Sequence, residues 1–258
     1  MKLLSGPFRH TLVSLSLFPW SSSPTRLQHT MSGKNALVVP AAKTHSATVI
    51  MAHGLGDRVS LAENWRRRGK FDEVKFIFPN APVIPITING GFPMPGWYDI
   101  GSLSDLDARQ DEDGILRSRD VFTKLIDDEV AAGIPSHRIV LGGFSQGGAI
   151  SLFTGVTTTR KLAGVFGLSS YLLLGNKVKQ LAAEAKDANK DTPFFIAHGD
   201  VDDVVKYQWG QQTADFLHKE LGHKVDFKTY RGLPHAADPQ EINDLEDFIR
   251  AALAEAKI

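Results

Sequence analysis

The chain has 258 residues and a mass of 28.3 kDa, with 42% hydrophobic and 22% charged residues, which suits one α/β domain and argues against wholesale disorder or fibrous repeats. Lys+Arg and Asp+Glu balance at 29 each, so no net field draws the chain to nucleic acid or anionic lipid. There is no Cys, which excludes disulfides, thiolate nucleophiles and Cys-based metal or iron–sulfur sites, and leaves any covalent catalysis to another nucleophile.

Charge is nevertheless uneven along the chain. Residues 1–30 carry Lys2, Arg9 and Arg26 but no acid, and the first acidic residue is Asp57. The apolar residues Leu12, Val13, Leu15, Leu17 and Phe18 are interrupted by Ser14 and Ser16, too short a run to span a membrane. Such a basic, Ser-rich start has the composition of a mitochondrial presequence or weak secretory signal, and equally of a disordered extension ahead of Met31. The expectation is an N-terminal extension over residues 1–36, disordered or targeting, before one domain over residues 37–258. No later stretch reaches the eighteen apolar residues of a spanning helix, so no stable membrane insertion is expected.

In chain order, Ala47–Ala52 is β-branched, compact and closely followed by Gly, and reads as a buried parallel strand. Val74–Phe78 reads the same way. Pro79–Trp97 contains Pro79, Pro82, Pro85, Pro93 and Pro95, which forbid a regular helix or a central strand and predict a long, stiff surface excursion with apolar content. Glu112–Ala132 places Ile115, Phe122, Ile126 and Val130 on one helical face. Strands follow at Ile139–Phe144, Leu162–Leu168, Pro193–Ala197 and Val225–Tyr230. Helices are expected at Ala149–Val156, Lys206–Leu221 and Pro239–Ala254. This alternation predicts an α/β fold, a mostly parallel central sheet with helices on both faces.

The strongest motif is Gly143-Phe144-Ser145-Gln146-Gly147, set between a buried strand and an apolar helix. A strand-to-helix turn this sharp projects Ser145 Oγ above the sheet and leaves no room for a Cβ at Gly143 or Gly147. A neutral Ser needs a base, and the base needs a group to orient it. In this architecture the partners follow in the order Ser, acid, His. After the strand at Pro193–Ala197 comes His198-Gly199-Asp200-Val201-Asp202-Asp203, and after Val225–Tyr230 comes Arg231-Gly232-Leu233-Pro234-His235. His235 is the expected base, and His218 and His223 are expected near a helix end, facing solvent. Spacing alone leaves Asp200, Asp202 and Asp203 open as the orienting acid.

The tetrahedral intermediate of acyl transfer needs two backbone donors, one from the loop after the first buried strand and one from the residue after the nucleophile. The turn His53-Gly54-Leu55-Gly56-Asp57 and the motif above nominate Leu55 and Gln146, with His53 tying the turn down. No HExxH, phosphate-loop or dinucleotide fingerprint is present, so neither a cofactor nor a metal is expected.

Taken together, HGLGD, FPNAP, PGWYDI, GFSQGG, HGDVDD and the late Gly-Leu-Pro-His resemble the acyl-protein thioesterase family of α/β-hydrolases, also called the lysophospholipase/carboxylesterase family. The resemblance runs from about Leu37 to the C-terminus and is closest to the fungal branch, on the run LAENWRRRGKFDEVKFIFPNAPVIPIT. It implies Ser145 as nucleophile, His235 as base and, by the HGDxD pattern, Asp202 as acid. It also implies S-palmitoylated proteins as substrates, lysophospholipids and simple esters as further ones, and a cytosolic or nuclear enzyme. One departure stands out: Asp57-Arg58-Val59-Ser60-Leu61 is about four residues short of the family pattern beside the oxyanion donors. Two rivals follow, a carboxylesterase for short soluble esters and a weakly active acyl-binding homologue.

Overall fold

The computed structural model describes residues 36–57, 69–103 and 110–256. The loop after Asp57, where the family pattern runs short, and the N-terminal extension up to residue 35 lie outside the described residues. Nine strands are described: β1 Ala36–Val39, β2 Ala47–Ala52, β3 Val74–Pro79, β4 Val83–Ile86, β5 Phe92–Pro95, β6 Ile139–Phe144, β7 Gly164–Leu168, β8 Pro193–Gly199 and β9 Lys224–Tyr230. Seven of them form one sheet in the order β1-β3-β2-β6-β7-β8-β9. Only the edge strand β1 runs antiparallel to its neighbour, and every other pair in this sheet is parallel.

Among the described residues the α-helices are α1 Glu112–Ala131, α2 Gln146–Thr157, α3 Val178–Glu184, α4 Tyr207–Asp215 and α5 Pro239–Glu255. Central strands read as continuous apolar runs because both faces are covered. On one face Ile50, Ile77, Leu141, Val165 and Ile196 meet Ile115, Phe122 and Ile126 of α1 and the wholly buried α2. On the other, Val49, Met51, Val140, Phe166 and Phe195 meet Leu245, Ile249 and Leu253 of α5. Each such side chain fully buried is worth about 1.5–3 kcal/mol. The start of α1 is set by Asp111, whose carboxylate accepts the Gly114 N–H at 3.0 Å, with Glu112 and Asp113 completing an acidic first turn.

The Pro-rich stretch is more regular than its composition predicts. β4 and β5 form a separate antiparallel hairpin, closed by Gly90 and Gly91 at φ 67° and 78°. Pro85 pairs with Pro93 and Val83 with Pro95, alternating with Ile84–Met94 and Ile86–Phe92. All three strand prolines thus fall in alternate pairs, where an antiparallel ladder asks no N–H of them. The 206–221 region begins as α-helix and finishes in a π turn over Phe216–Glu220. His223 corrects the expectation of a solvent-facing ring. It is buried, packs against Phe194 at a 4.6 Å centroid distance and hydrogen-bonds through Nδ1 to Asn189 O. Burial there lowers its pKa.

Candidate active site

Ser145 sits between β6 and α2 at φ 54°, ψ −123°, a sparsely populated region that costs roughly 1–3 kcal/mol. Its N–H donates to Leu168 O at 2.8 Å, at the end of β7. A Cβ on Gly143 or Gly147 would overlap the Ala52 carbonyl at the end of β2. The two glycines therefore let the turn press onto its neighbouring strand and hold Ser145 in place.

His235 reaches Ser145 from beyond β9. Its Nε2 is 3.0 Å from Ser145 Oγ, and its Nδ1 is 2.8 Å from Asp202 Oδ2. A carboxylate only accepts, so Nδ1 carries the proton and Nε2 offers its lone pair to the Ser145 hydroxyl. The other carboxylate oxygen of Asp202 accepts the N–H groups of Val204 and Val205 at 3.0 and 2.9 Å. Burial favours the neutral acid, but contacts with His198 and His235, the charge His235 can carry and the Val205 N–H together hold the Asp202 carboxyl well below the ordinary aspartate range. Where spacing left three candidates, position distinguishes them: Asp202 meets His235. Asp203 is exposed. Asp200 instead accepts the Gly232 N–H at 2.6 Å, pinning the loop that carries His235. Gly199 seats the same loop, since a Cβ there would collide with the Leu233 carbonyl.

The turn Gly54–Asp57 lies against Ser145, with a Cβ on Gly54 falling 3.3 Å from Ser145 Cβ. Gly56 supplies the positive φ of 78° the turn needs, and its N–H donates to Pro95 O at 2.8 Å. His53 Nδ1 contacts Gly54 O at 2.7 Å and its Nε2 accepts from Ala81 N at 3.0 Å, so the buried ring bridges turn and hairpin base. Leu55 and Gln146 both line the cavity that holds Ser145. Gln146 opens α2, where its N–H has by position no intrahelical acceptor. Its side chain also acts as a clamp, for Oε1 accepts the Trp97 N–H at 2.8 Å and Nε2 donates to Tyr98 O at 2.7 Å. No motif announces this clamp.

The cavity measures about 260 Å³ and is mostly apolar, lined by Leu55, Ile100, Leu103, Phe144, Val204 and Val205 beside Ser145, His235 and Tyr171. The Tyr171 hydroxyl lies 3.2 Å from that of Tyr98, and burial pushes both phenols up, so they stay neutral. A larger cavity of about 600 Å³ opens beyond Trp97, between β1, β3, the hairpin base and α1, but it contains neither Ser145 nor His235. The smaller one is the candidate site, because Ser145 and His235 of the hydrogen-bonded series line it.

Across residues 33–253 the chain matches the phospholipase/carboxylesterase family. It belongs to that family. Among phospholipase/carboxylesterase relatives, acyl-protein thioesterase 1 of Aspergillus fumigatus is 57% identical over 223 residues, covering 84% of this chain and 92% of the relative. Acyl-protein thioesterase 1 of Emericella nidulans is 58% identical over 223 residues, covering 82% and 92%. The crystal structure of Zea mays acyl-protein thioesterase 2 superposes with a TM-score of 0.77 at 30% identity, covering 84% of this chain and 98% of that one. Among the described residues of this family member, no helix is long and apolar enough to cross a membrane.

Proposed function

We propose that this chain is an acyl-protein thioesterase, a serine hydrolase that removes long fatty acyl groups from protein cysteines and also cleaves oxygen esters and lysophospholipids, acting in the cytosol or nucleus. The observation that carries this is the unbroken series Ser145–His235–Asp202, of which Ser145 and His235 line an apolar cavity. Relatives at 57% and 58% identity that carry the thioesterase name supply the substrate class.

The chemistry runs in two halves. Ser145 Oγ attacks the thioester carbonyl carbon while His235 Nε2 takes its proton, and Asp202 stabilises the imidazolium. The carbonyl oxygen becomes an oxyanion held by the N–H groups of Leu55 and Gln146. The carbon–sulfur bond breaks and the protein thiol leaves with the proton from His235. Water, deprotonated by His235, then attacks the acyl-enzyme and releases the fatty acid, returning the proton to Ser145. The helix dipole of α2 adds positive potential at the Gln146 end.

A fluorophosphonate probe tests the assignment: its mass is expected on Ser145, and Ser145→Ala and His235→Ala are each expected to abolish labelling. The same mass measurement reports where the mature chain begins, which separates a cleaved targeting segment from a retained extension. Chain length separates thioesterase from short-ester hydrolase. Each methylene buried contributes about 0.8 kcal/mol, so octanoyl thioesters should exceed acetyl ones in kcat/KM by well over tenfold. An optimum at two to four carbons supports the carboxylesterase. A chain that binds acyl groups and never labels supports the weakly active homologue. Adding four family-like residues between Asp57 and Leu61 is expected to raise long-chain turnover while leaving stability nearly unchanged, since loop-closure entropy changes slowly with length.

A further inference from the structure

His198, next to last in β8, is fully buried and takes no part in the proton transfers of hydrolysis. Its Nε2 lies 2.8 Å from Val205 O, and a carbonyl can only accept, so the ring carries its proton on Nε2. Asp202 Oδ2 lies 3.4 Å from the same nitrogen, off the N–H direction, close enough for the ring dipole to favour the carboxylate. The opposite ring nitrogen, Nδ1, has no hydrogen-bond partner. It faces Gly210 of α4, where any Cβ would collide with it. Tyr207 closes the pocket edge-on, its ring centroid 6.0 Å away. A glycine in the interior of a helix is unfavourable by about 1 kcal/mol relative to Ala, and here it makes the room the imidazole occupies.

The loop that presents Asp202 is tied down at its start, where the Asp200 N–H donates to Tyr230 O at 3.1 Å and the Asp200 carboxylate accepts the Gly232 N–H. Beyond that point Val201, Asp203 and Val204 are exposed, while Asp202 and Val205 are buried. Asp202 grips the N–H groups of Val204 and Val205, so its carboxylate is fixed to that stretch of backbone, and the backbone is fixed to β8 by the His198 bond to the Val205 carbonyl. We propose that His198 is a positioning residue for hydrolysis, anchoring the Asp202 loop at Val205 so that the carboxylate stays on His235, with Gly210 as the seat of its ring. This rests on the assignment of Ser145, His235 and Asp202 as the hydrolytic residues. Without the anchor the loop drifts, the Asp202–His235 bond lengthens, and the imidazolium formed during attack loses its partner. His198 touches neither substrate nor nucleophile and acts through Asp202 alone.

The test compares wild type, His198→Ala, His198→Gln and Gly210→Ala on an octanoyl thioester across pH, with active sites counted by fluorophosphonate labelling. For His198→Ala a loss in kcat on the order of a hundredfold is expected, as for a catalytic group misplaced by about 1 Å, with KM little changed. The acid limb of its pH profile should move to lower pH, because a weakened Asp202 contact leaves the His235 imidazolium less stable. In His198→Gln the side-chain amide can donate to the same carbonyl, and most of kcat and the acid limb should return. Gly210→Ala keeps His198 but pushes on its ring, and should fall between, which keeps the test open if His198→Ala does not fold. Wild-type kcat per labelled site with an unmoved acid limb in His198→Ala or Gly210→Ala overturns the proposal. So does a loss that His198→Gln fails to relieve and that leaves the limb in place. If Ser145 is not the labelled residue, the hydrolase assignment itself falls, an outcome distinct from a labelled chain indifferent at position 198.

Discussion

Asp202 and Glu241 are both buried carboxyl groups, near enough to feel each other's charge, in opposite circumstances. Asp202 sits in a loop that hands it two backbone N–H groups and two histidines. Glu241, in the first turn of α5, is completely buried and neither of its oxygens has a hydrogen-bond partner. Burial pushes its carboxyl up to about 8; a weak attraction to the Asp238 N–H opposes this, and the negative charges of Asp238 and Asp202 reinforce it. Burial penalises both charges, and only at Asp202 do partners outweigh it. One carboxyl is thereby kept ionised against His235, while the other keeps its proton up to about pH 8.

The most damaging way to break this contrast is to remove charge from the partnered member. Asp202→Asn should lower kcat by about 10⁴-fold, since the amide cannot hold His235 in the same tautomer or stabilise its cation; steady-state rates on an octanoyl thioester check this. The second way is to neutralise the unpartnered member. Because the folded pKa of Glu241 lies above its ordinary value of 4.5, the folded state keeps a proton that the unfolded state releases, and stability drains away as pH rises from about 4.5 to 8. Glu241→Gln should abolish that drain, leaving stability similar at pH 5 and higher than wild type on the order of 4 kcal/mol at pH 9, as urea titrations would report. A smaller effect belongs to Asp200, whose bond to Gly232 an Asn oxygen can still accept: Asp200→Asn should change kcat by no more than about threefold, under 1 kcal/mol. Asp203→Asn, at an exposed position, should shift stability within about 0.5 kcal/mol and leave kcat untouched.

Much of this architecture was legible because central parallel strands are apolar on both faces. β2, β6 and β8 announce themselves as compact runs closed by Gly, and their helices by periodic Ile and Phe. Elements that sequence patterning does not reveal are short or chemically disguised. β1 is a four-residue edge strand, α3 has only seven residues, and the hairpin hides behind prolines whose alternate placement becomes visible only once the two strands are paired. At the site, Ser145 and His235 could be nominated from strand-end position, because the chemistry needs those residue types there. Spacing leaves Asp202 open among its neighbours and only the HGDxD resemblance points to it, because the choice depends on how a loop folds back on itself; the burial of Glu241 depends on packing between elements distant in sequence. The same holds for His198 and for the side chain of Gln146. Their partners are backbone carbonyls and amides, which every residue possesses and no residue type advertises.

The double grip of Gln146 on Trp97 and Tyr98 has a bearing on protein engineering. The hairpin that ends just before Trp97 looks like a detachable module, exposed at Val83 and Phe92 and outside the main sheet. Its return point is nevertheless bolted to Gln146, the residue that follows Ser145. A chimera that imports a hairpin from a relative to change acyl preference therefore carries its graft junction up to Gln146, one of the two proposed oxyanion donors. Such a swap should be cut outside Asn80 and Asp99 rather than at the strand ends, so that the Trp97 and Tyr98 backbone groups gripped by Gln146 travel with the hairpin.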